Sequence, residues 1–241
     1  MADEKKDPES QLPAASKQAE VEAFLRQVAA MPAVKPAAGR GRLIFALDAT
    51  ASRQPTWDRA CQIQGEMFQA TESLGGLEIQ LVFYRGLGEC KASRWLARAR
   101  DLLAAMRKVS CVGGQTQIAR IVGHAISEAK AGRVNALVFV GDAFEESLAK
   151  VSQLAGELAL LNVPAFLFHE GGNPQVAEAF REIARLTRGA YCPFDSESAQ
   201  QLKELLGAVA VFAAGGRKAL TDYSRRTGGA ALLLTRQMAS G

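Results

Sequence analysis

The sequence has 241 residues, of which 48 % are hydrophobic and 22 % are charged, and its formal net charge is +4. This apolar fraction excludes an intrinsically disordered chain, and no apolar stretch reaches the roughly 20 residues that span a bilayer. The N-terminal segment MADEKKDPES lacks the apolar core of a secretory signal, so we expect a cytoplasmic protein with no membrane span.

The cysteine and histidine content argues against a structural zinc site. The chain has four cysteines, none in a C-x-x-C pair, and two histidines, His124 and His169. A structural zinc site needs clustered soft ligands, so we expect four reduced thiols. A Cys90–Cys111 disulfide is also compatible with the sequence; it would require the two loops that carry these residues to meet.

The positive charge is concentrated at the C-terminus. The segment from Arg217 to the end carries a net charge of +4, which equals the charge of the whole protein. The rest of the chain is therefore close to neutral, and no nucleic-acid partner is expected.

Hydrophobic patterning divides the chain into three parts. Residues 1–41 are interpreted as a disordered leader with a short amphipathic helix over Val21–Met31 and a Pro- and Gly-containing linker. Residues 42–214 form the predicted domain, and residues 215–241 a basic tail.

Within that domain, strand and helix patterns alternate. The predicted elements in chain order are strand Leu43–Leu47, helix Gln54–Leu74, strand Leu77–Tyr84, a short edge strand over Glu89–Ser93, helix Trp95–Val109, helix Ile118–Ala129, strand Asn135–Val140, helix Leu148–Leu161, strand Val163–Phe168, helix Val176–Leu186, strand Ala190–Phe194 and helix Ala199–Phe212. Short apolar runs such as LIFAL and NALVFV are typical of strands buried on both faces. The pattern predicts an α/β fold: a doubly wound, mainly parallel sheet with helices on both faces and one antiparallel edge strand. Ligands of such sheets bind at the carboxyl ends of the strands.

Oxygen-bearing side chains stand where this rule points. Asp48 follows the LIFAL strand, with Thr50 and Ser52 two and four residues later, and Asp142 follows NALVFV after one glycine. Residues at i, i+2 and i+4 of an extended segment point to one side, so three oxygens can converge. Thr116, in a glycine-rich loop before a helix, adds another hydroxyl. Two carboxylates and three hydroxyls suit a hard cation such as Mg²⁺ or Mn²⁺, which keeps a position for an anionic oxygen from outside.

A simpler interpretation of the same residues stays open. Asp48 and Ser52 can cap the helix that begins near Gln54, and Thr116 can cap the helix that follows it, because these side chains satisfy free N–H groups at helix starts. Each residue alone is compatible with capping, whereas the set of five together favours a metal site.

At these residues the sequence resembles the von Willebrand factor type A (VWA) domain, whose Rossmann-like fold is shared with integrin I domains. The metal-ion-dependent adhesion site (MIDAS) of that family has the pattern Asp-x-Ser-x-Ser, a Thr in a glycine-rich loop and an Asp after the fourth strand. This chain matches it with Asp48, Thr50, Ser52, Thr116 and Asp142. It departs from the pattern in having Thr50 in place of Ser, and Ala143 where Gly is usual after the last Asp.

The resemblance implies a divalent ion, Mg²⁺ or alternatively Mn²⁺ or Ca²⁺, and a partner protein that presents an Asp or Glu carboxylate. It implies direct ligation by Thr50 and Ser52, direct or water-mediated ligation by Asp48 and Asp142, and a contribution from Thr116 that depends on an open or closed state. It implies an interaction module without catalysis. The stretch FYRGLGECKASRWL is similar to bacterial intracellular members, including the tellurium-resistance type.

Two other functions are weighed against this one. A Mg²⁺-dependent phosphohydrolase of the haloacid-dehalogenase type also begins with an Asp after the first strand, but it requires a second Asp where Thr50 stands. A scaffold with a vestigial site does not require the complete set of five residues. No G-x-G-x-x-G follows the first strand and no Walker lysine is present, so dinucleotide and P-loop sites are excluded. His169 and Glu170 can reach the metal face, and Glu145 and Glu146 are expected to start the next helix and to repel acidic partners.

Overall fold

A six-stranded mixed sheet forms the centre of the protein. The computed structural model describes residues 23–24, 26–27, 40–71, 76–194 and 199–227. The strands are β1 (Gly41–Asp48), β2 (Leu77–Arg85), β3 (Glu89–Ala92), β4 (Ala136–Gly141), β5 (Ala165–Glu170) and β6 (Ala190–Phe194). Their order is β3-β2-β1-β4-β5-β6; β3 pairs antiparallel with β2, and the other neighbours pair in parallel. The predicted fold class, including the antiparallel edge strand, is confirmed.

Helices connect these strands. They are α1 (Gln54–Ile63), α2 (Gly65–Thr71), α3 (Ala99–Met106), α4 (Ile118–Ala131), α5 (Leu148–Leu160), α6 (Pro174–Leu186) and α7 (Ala199–Thr227). A 3₁₀ turn over Ala51–Arg53 joins β1 to α1. Gly216, with a φ of 69°, interrupts α7. In the described part of the chain, no helix combines the length and apolarity needed to cross a membrane.

The sheet separates two hydrophobic cores, because alternate residues of a strand point to opposite faces. Phe45 of β1 lies in one core with residues of α1, α3 and α7, and Ile44 lies in the other core with residues of α4, α5 and α6. This arrangement explains why β1, β4 and β5 are apolar at nearly every position: both of their faces are covered.

The strand order places a topological switch point between β1 and β4. The chain leaves β1 toward β2 on one side, whereas β4 on the other side leads to β5. Parallel strands on either side of a switch point leave a crevice at their carboxyl ends, where ligands of this fold class bind. Here that crevice lies between Asp48, the last residue of β1, and Gly141, the last residue of β4.

Three predicted helices differ from the observed ones. The predicted helix Trp95–Val109 is wrong at its start: Leu96 is extended and exchanges two backbone hydrogen bonds of 2.8 Å with Ile79, and α3 begins only at Ala99. The free edge of β2 explains this, because its N–H and C=O groups need partners. The predicted helix Gln54–Leu74 is divided at Gln64, and residues 72–74 lie outside the described residues. The helix predicted to end at Phe212 continues to Thr227, with Ala219 and Leu220 buried.

Two aromatic residues, Trp57 and Phe24, belong to the core that contains Phe45. Trp57 of α1 is buried, donates a hydrogen bond of 3.2 Å from Nε1 to the carbonyl of Met106, and meets Phe83 edge-on. From the predicted leader, Phe24 packs edge-on against Phe168 with ring centroids 5.5 Å apart. Of the predicted helix Val21–Met31, residues 23, 24, 26 and 27 are described, and they are helical. The division of the chain at residues 41 and 214 stays a prediction.

Candidate metal centre

The carboxyl ends of β1 and β4 bring two of the predicted ligands to one place. The strands are neighbours, with Leu47 opposite Val140, so Asp48 and Asp142 leave the sheet side by side. Asp142 is half-buried and Ser52 is exposed, whereas Asp48 and Thr116 are buried. The group is therefore open to solvent on the side of Ser52 and Asp142.

Asp48 is held by two hydrogen bonds and is only 2 % exposed. Its Oδ1 accepts a bond of 2.7 Å from the Thr50 backbone N–H, and its Oδ2 accepts one of 2.9 Å from the Tyr84 hydroxyl. Burial raises the pKa of the Asp48 carboxyl above its ordinary value and outweighs the hydrogen bonds from Thr50 and Tyr84, which lower it; the nearby charge of Asp142 adds a smaller upward effect. Burial and the Asp48 charge raise the pKa of Tyr84 well above 10.0, so Tyr84 remains a hydrogen-bond donor. Each Asp48 oxygen keeps a lone pair for a further ligand.

Ser52 connects the segment after β1 to the carboxylate of Asp142. Its hydroxyl donates a hydrogen bond of 3.2 Å to Oδ2 of Asp142. The 3₁₀ turn brings it there, with the Arg53 N–H bonded to the Thr50 carbonyl at 3.0 Å. Two residues separated by 90 positions in the sequence thus present oxygens to the same point.

Thr116 is fixed by a reciprocal pair of hydrogen bonds. Its hydroxyl accepts a bond of 2.9 Å from the Glu145 N–H, and its own N–H donates one of 3.0 Å to Oε2 of Glu145. The loop that carries Thr116 is therefore tied to the loop that follows Asp142, and the hydroxyl keeps one lone pair and its proton.

The interpretation of Ser52 and Thr116 as helix caps is wrong. The residues that precede the 3₁₀ turn, α1 and α4 are Thr50, Arg53 and Gln117, and none of them makes a side-chain capping bond. The start of α4 is instead capped by Glu146 from a distant loop, whose carboxylate accepts hydrogen bonds from the N–H groups of Ile118 and Ala119. Neither Ser52 nor Thr116 is therefore used as a helix cap.

The expectation that Glu145 and Glu146 begin the next helix is also wrong. That helix, α5, begins at Leu148, and Ser147 is the residue that caps it. The two carboxylates turn back toward residues 116–119, because the free N–H groups at the start of α4 attract negative charge.

A buried cation lies beside the candidate ligands. Arg53 is 2 % exposed, and its Nη1 is 3.7 Å from Oδ2 of Asp142. Its Nη2 forms an ion pair with Oε2 of Glu170 at the end of β5, and the same oxygen accepts a hydrogen bond from the Thr56 hydroxyl. Glu170 thus reaches the metal face through Arg53. His169 is buried against Phe180, and its Nδ1 lies 3.0 Å from the Tyr191 hydroxyl. The other histidine, His124, contacts Gln80.

Close backbone packing positions the glycine-rich loop. The Val112 N–H donates a hydrogen bond of 3.0 Å to the carbonyl of Ala49, next to Asp48, and the Gln115 N–H donates one of 3.2 Å to the carbonyl of Gly86. A Cβ atom on Gly114 would lie 2.1 Å from that carbonyl oxygen of Gly86. Glycine at this position therefore allows the loop to lie against the turn between β2 and β3.

The donor set fits a hard divalent cation. The five predicted residues supply two carboxylates and three hydroxyls, and the structure places the Ser52 hydroxyl within hydrogen-bonding distance of Asp142. Such oxygen ligands suit Mg²⁺, Mn²⁺ or Ca²⁺. Among the described residues, no group of three or more His, Cys, Asp or Glu side chains is placed to hold a metal, and the four cysteines are free, so no Cys90–Cys111 disulfide forms. The fit therefore depends on hydroxyl ligands beside two carboxylates.

The sequence did not predict the roles of Tyr84 and Arg53, which each contact a candidate ligand. Glu170 was expected to reach the metal face, and the structure places it there in an ion pair with Arg53. A signal for Arg53 existed, because it directly follows Ser52.

Comparison with solved structures supports the fold. The chain is similar to a von Willebrand factor type A protein from Catenulispora acidiphila, with a TM-score of 0.59 and 15 % identity over 73 % of this chain and 43 % of the other. It is similar to proximal thread matrix protein 1 from the mussel byssus with a zinc-occupied MIDAS motif, with a TM-score of 0.57 and 15 % identity over 76 % and 48 % of the two chains.

The VWA domain of SpRpn10 is a third similar structure, with a TM-score of 0.53 and 15 % identity over 69 % of this chain and 94 % of that domain. The chain thus spans less than half the length of the first two neighbours. No family model and no curated protein matches the sequence. At these identities the comparisons show the fold alone: this chain has a VWA-like α/β fold.

Proposed function

We propose that the protein is a divalent-metal-dependent protein-interaction module, whose metal ion accepts a carboxylate oxygen from an Asp or Glu of a partner protein. The ligands from this chain are Asp48, Thr50, Ser52, Thr116 and Asp142. The observation that carries the proposal is the hydrogen bond between Ser52 and Asp142, which joins the two loops at the switch point. The zinc-occupied MIDAS of the byssal protein, on a similar fold, supports it.

Each ligand has a role that follows from its chemistry. Thr50 and Ser52 offer neutral hydroxyl oxygens, Asp48 and Asp142 offer charge directly or through water, and Thr116 joins when its loop permits. When bound, the ion supplies a positive centre with a position for an external anionic oxygen. Two carboxylates just balance a divalent charge, so an incoming carboxylate meets no excess of negative charge. Solvent exposure on the side of Ser52 and Asp142 gives the partner its route.

Catalysis and nucleic-acid binding are not part of the proposal. Thr50 occupies the position at which a haloacid-dehalogenase-like hydrolase needs a second carboxylate, and a hydroxyl does not act as a general base at neutral pH. We place the interaction in the bacterial cytoplasm; the four free cysteines suit a reducing compartment.

Asp142→Ala is expected to abolish partner capture. Immobilised wild-type protein, incubated with extract of its own cells, should retain a partner in millimolar Mg²⁺ and release it in EDTA, because the metal bridges the two proteins. The Asp142→Ala protein should retain nothing in either buffer. Quantitative mass spectrometry of the eluates measures the effect.

The matched control is Asp101→Ala. Asp101 lies in the first turn of α3 and pairs with Arg98, so its removal changes the charge equally without touching the candidate centre. Retention that survives EDTA, or that is equal in Asp142→Ala and wild type, contradicts the proposal.

A further inference from the structure

Arg53 is a permanent positive charge inside the candidate metal centre. Arginine carries a delocalised positive charge, and at 2 % exposure the Arg53 side chain has almost no contact with water. It lies between two carboxylates, 3.7 Å from Asp142 and in an ion pair with Glu170. The partner protein has no access to a group so buried, so Arg53 acts on this chain's own charges.

The two carboxylates hold Arg53 unequally. Nη2 is bonded to Glu170, which the Thr56 hydroxyl also holds, whereas Nη1 is at ion-pair distance from Asp142 without a hydrogen bond. Buried charges a few ångströms apart interact strongly because water screens them poorly. A guanidinium that is drawn toward Glu170 therefore leaves more of the Asp142 charge for a cation.

We propose that Arg53 and Glu170 form a charge pair that sets the metal affinity of the centre: Arg53 competes with the ion for Asp142, and Glu170 restrains that competition. This inference rests on the proposed function, because it concerns the same metal ion. In the metal-free protein Arg53 partly neutralises Asp142. With the ion bound, Glu170 holds the guanidinium.

The test uses Mn²⁺ alone as the probe, with free Mn²⁺ measured by electron paramagnetic resonance during titration of metal-stripped protein. Arg53→Gln is expected to bind Mn²⁺ about tenfold more tightly than wild type, because the competing charge is gone. Glu170→Gln is expected to bind about tenfold more weakly, because Arg53 then pairs with Asp142 alone. The double variant should lie between them.

Opposite signs separate a charge effect from a structural one. If the pair merely supported the local fold, both single variants would weaken binding. Arg53→Lys, which keeps the charge, should stay within a few-fold of wild type, and circular dichroism shows whether each variant is folded. Weaker binding by folded Arg53→Gln, or unchanged binding in both single variants, overturns the charge pair and leaves the proposed function intact.

A different result would overturn the proposed function itself. If neither wild type nor folded Arg53→Gln binds Mn²⁺, the metal centre and the charge pair both fail. If only Arg53→Gln binds, the charge pair is supported in its strongest form, with Arg53 as the group that keeps the wild-type centre empty at the Mn²⁺ concentrations used.

Discussion

Asp48→Asn is expected to lose the whole of the stabilisation that Mn²⁺ gives to the wild-type protein. At one hundred times its Kd, a ligand that binds only the folded state adds about 2.7 kcal/mol, which raises Tm by several degrees. Asparagine keeps the shape of Asp48 and an acceptor for the Thr50 N–H, but it removes a charge from the centre. Thermal melts of metal-stripped protein with Mn²⁺ and with EDTA measure the difference.

The control for this prediction is Asp101→Asn, which should melt at a higher temperature in Mn²⁺ as wild type does. A similar Mn²⁺ shift in Asp48→Asn would show that the ion binds elsewhere. The absence of a shift in both wild type and folded Arg53→Gln would contradict the metal centre, whereas a shift in Arg53→Gln alone would mean that Arg53 keeps the wild-type centre empty.

The pH dependence of the same melts has a defined sign. Burial raises the pKa of Asp48 in the folded protein, so the folded state holds this proton more tightly than the unfolded chain does. The contribution of Asp48 to the unfolding free energy of the metal-free protein is therefore complete below a pH of about 3.8 and is lost as the pH rises through the raised pKa. Mn²⁺ needs the ionised carboxylate, so its stabilisation grows over the same interval. The Asp48→Asn protein should lack both trends.

Gly114→Ala is expected to destabilise the protein by about 2–3 kcal/mol and to weaken Mn²⁺ binding at the same time. The new Cβ atom would lie 2.1 Å from the carbonyl oxygen of Gly86, and backbone atoms on both sides must move to relieve the overlap. Such movement displaces the loop that carries Thr116. Urea unfolding measures the stability, and Mn²⁺ titration measures the binding.

Gly113→Ala is the matched control, because a Cβ atom at residue 113 meets nothing within 4 Å. It should change the unfolding free energy by less than about 0.5 kcal/mol. Equal effects of the two substitutions would mean that loop flexibility matters, and that the contact between Gly114 and Gly86 does not.

The strands, and the burial of both faces of the central ones, were predictable for a physical reason. β1, β4 and β5 are covered on both faces, so nearly every residue in them is apolar and the pattern is unmistakable. The start of α3 was not predictable, because Trp95 and Leu96 have helical spacing with the residues that follow. The requirement that decides their conformation, the free edge of β2, comes from a distant part of the chain.

The candidate ligands were predictable because the carboxyl ends of parallel strands lie at the same edge of the sheet. The structure brings Asp48, Ser52 and Asp142 to that edge, and Thr116 lies in the loop bonded to the segment after Asp142. Their role as metal ligands stays a prediction. The contact between Arg53 and Glu170 spans more than one hundred residues and depends on side-chain reach across β4, which no local spacing encodes.

The position of Trp57 gives the protein an optical sensor of its own. The chain has two tryptophans: Trp57 lies in the apolar core, on the helix that begins just after the turn of Ser52, whereas the half-buried Trp95 contacts Arg42 and Glu128. Their surroundings differ in polarity, so Trp57 should emit at the shorter wavelength. Any tilt of α1 that follows ion or partner capture alters the packing of Trp57 on Phe83, and fluorescence follows that change in real time without a label.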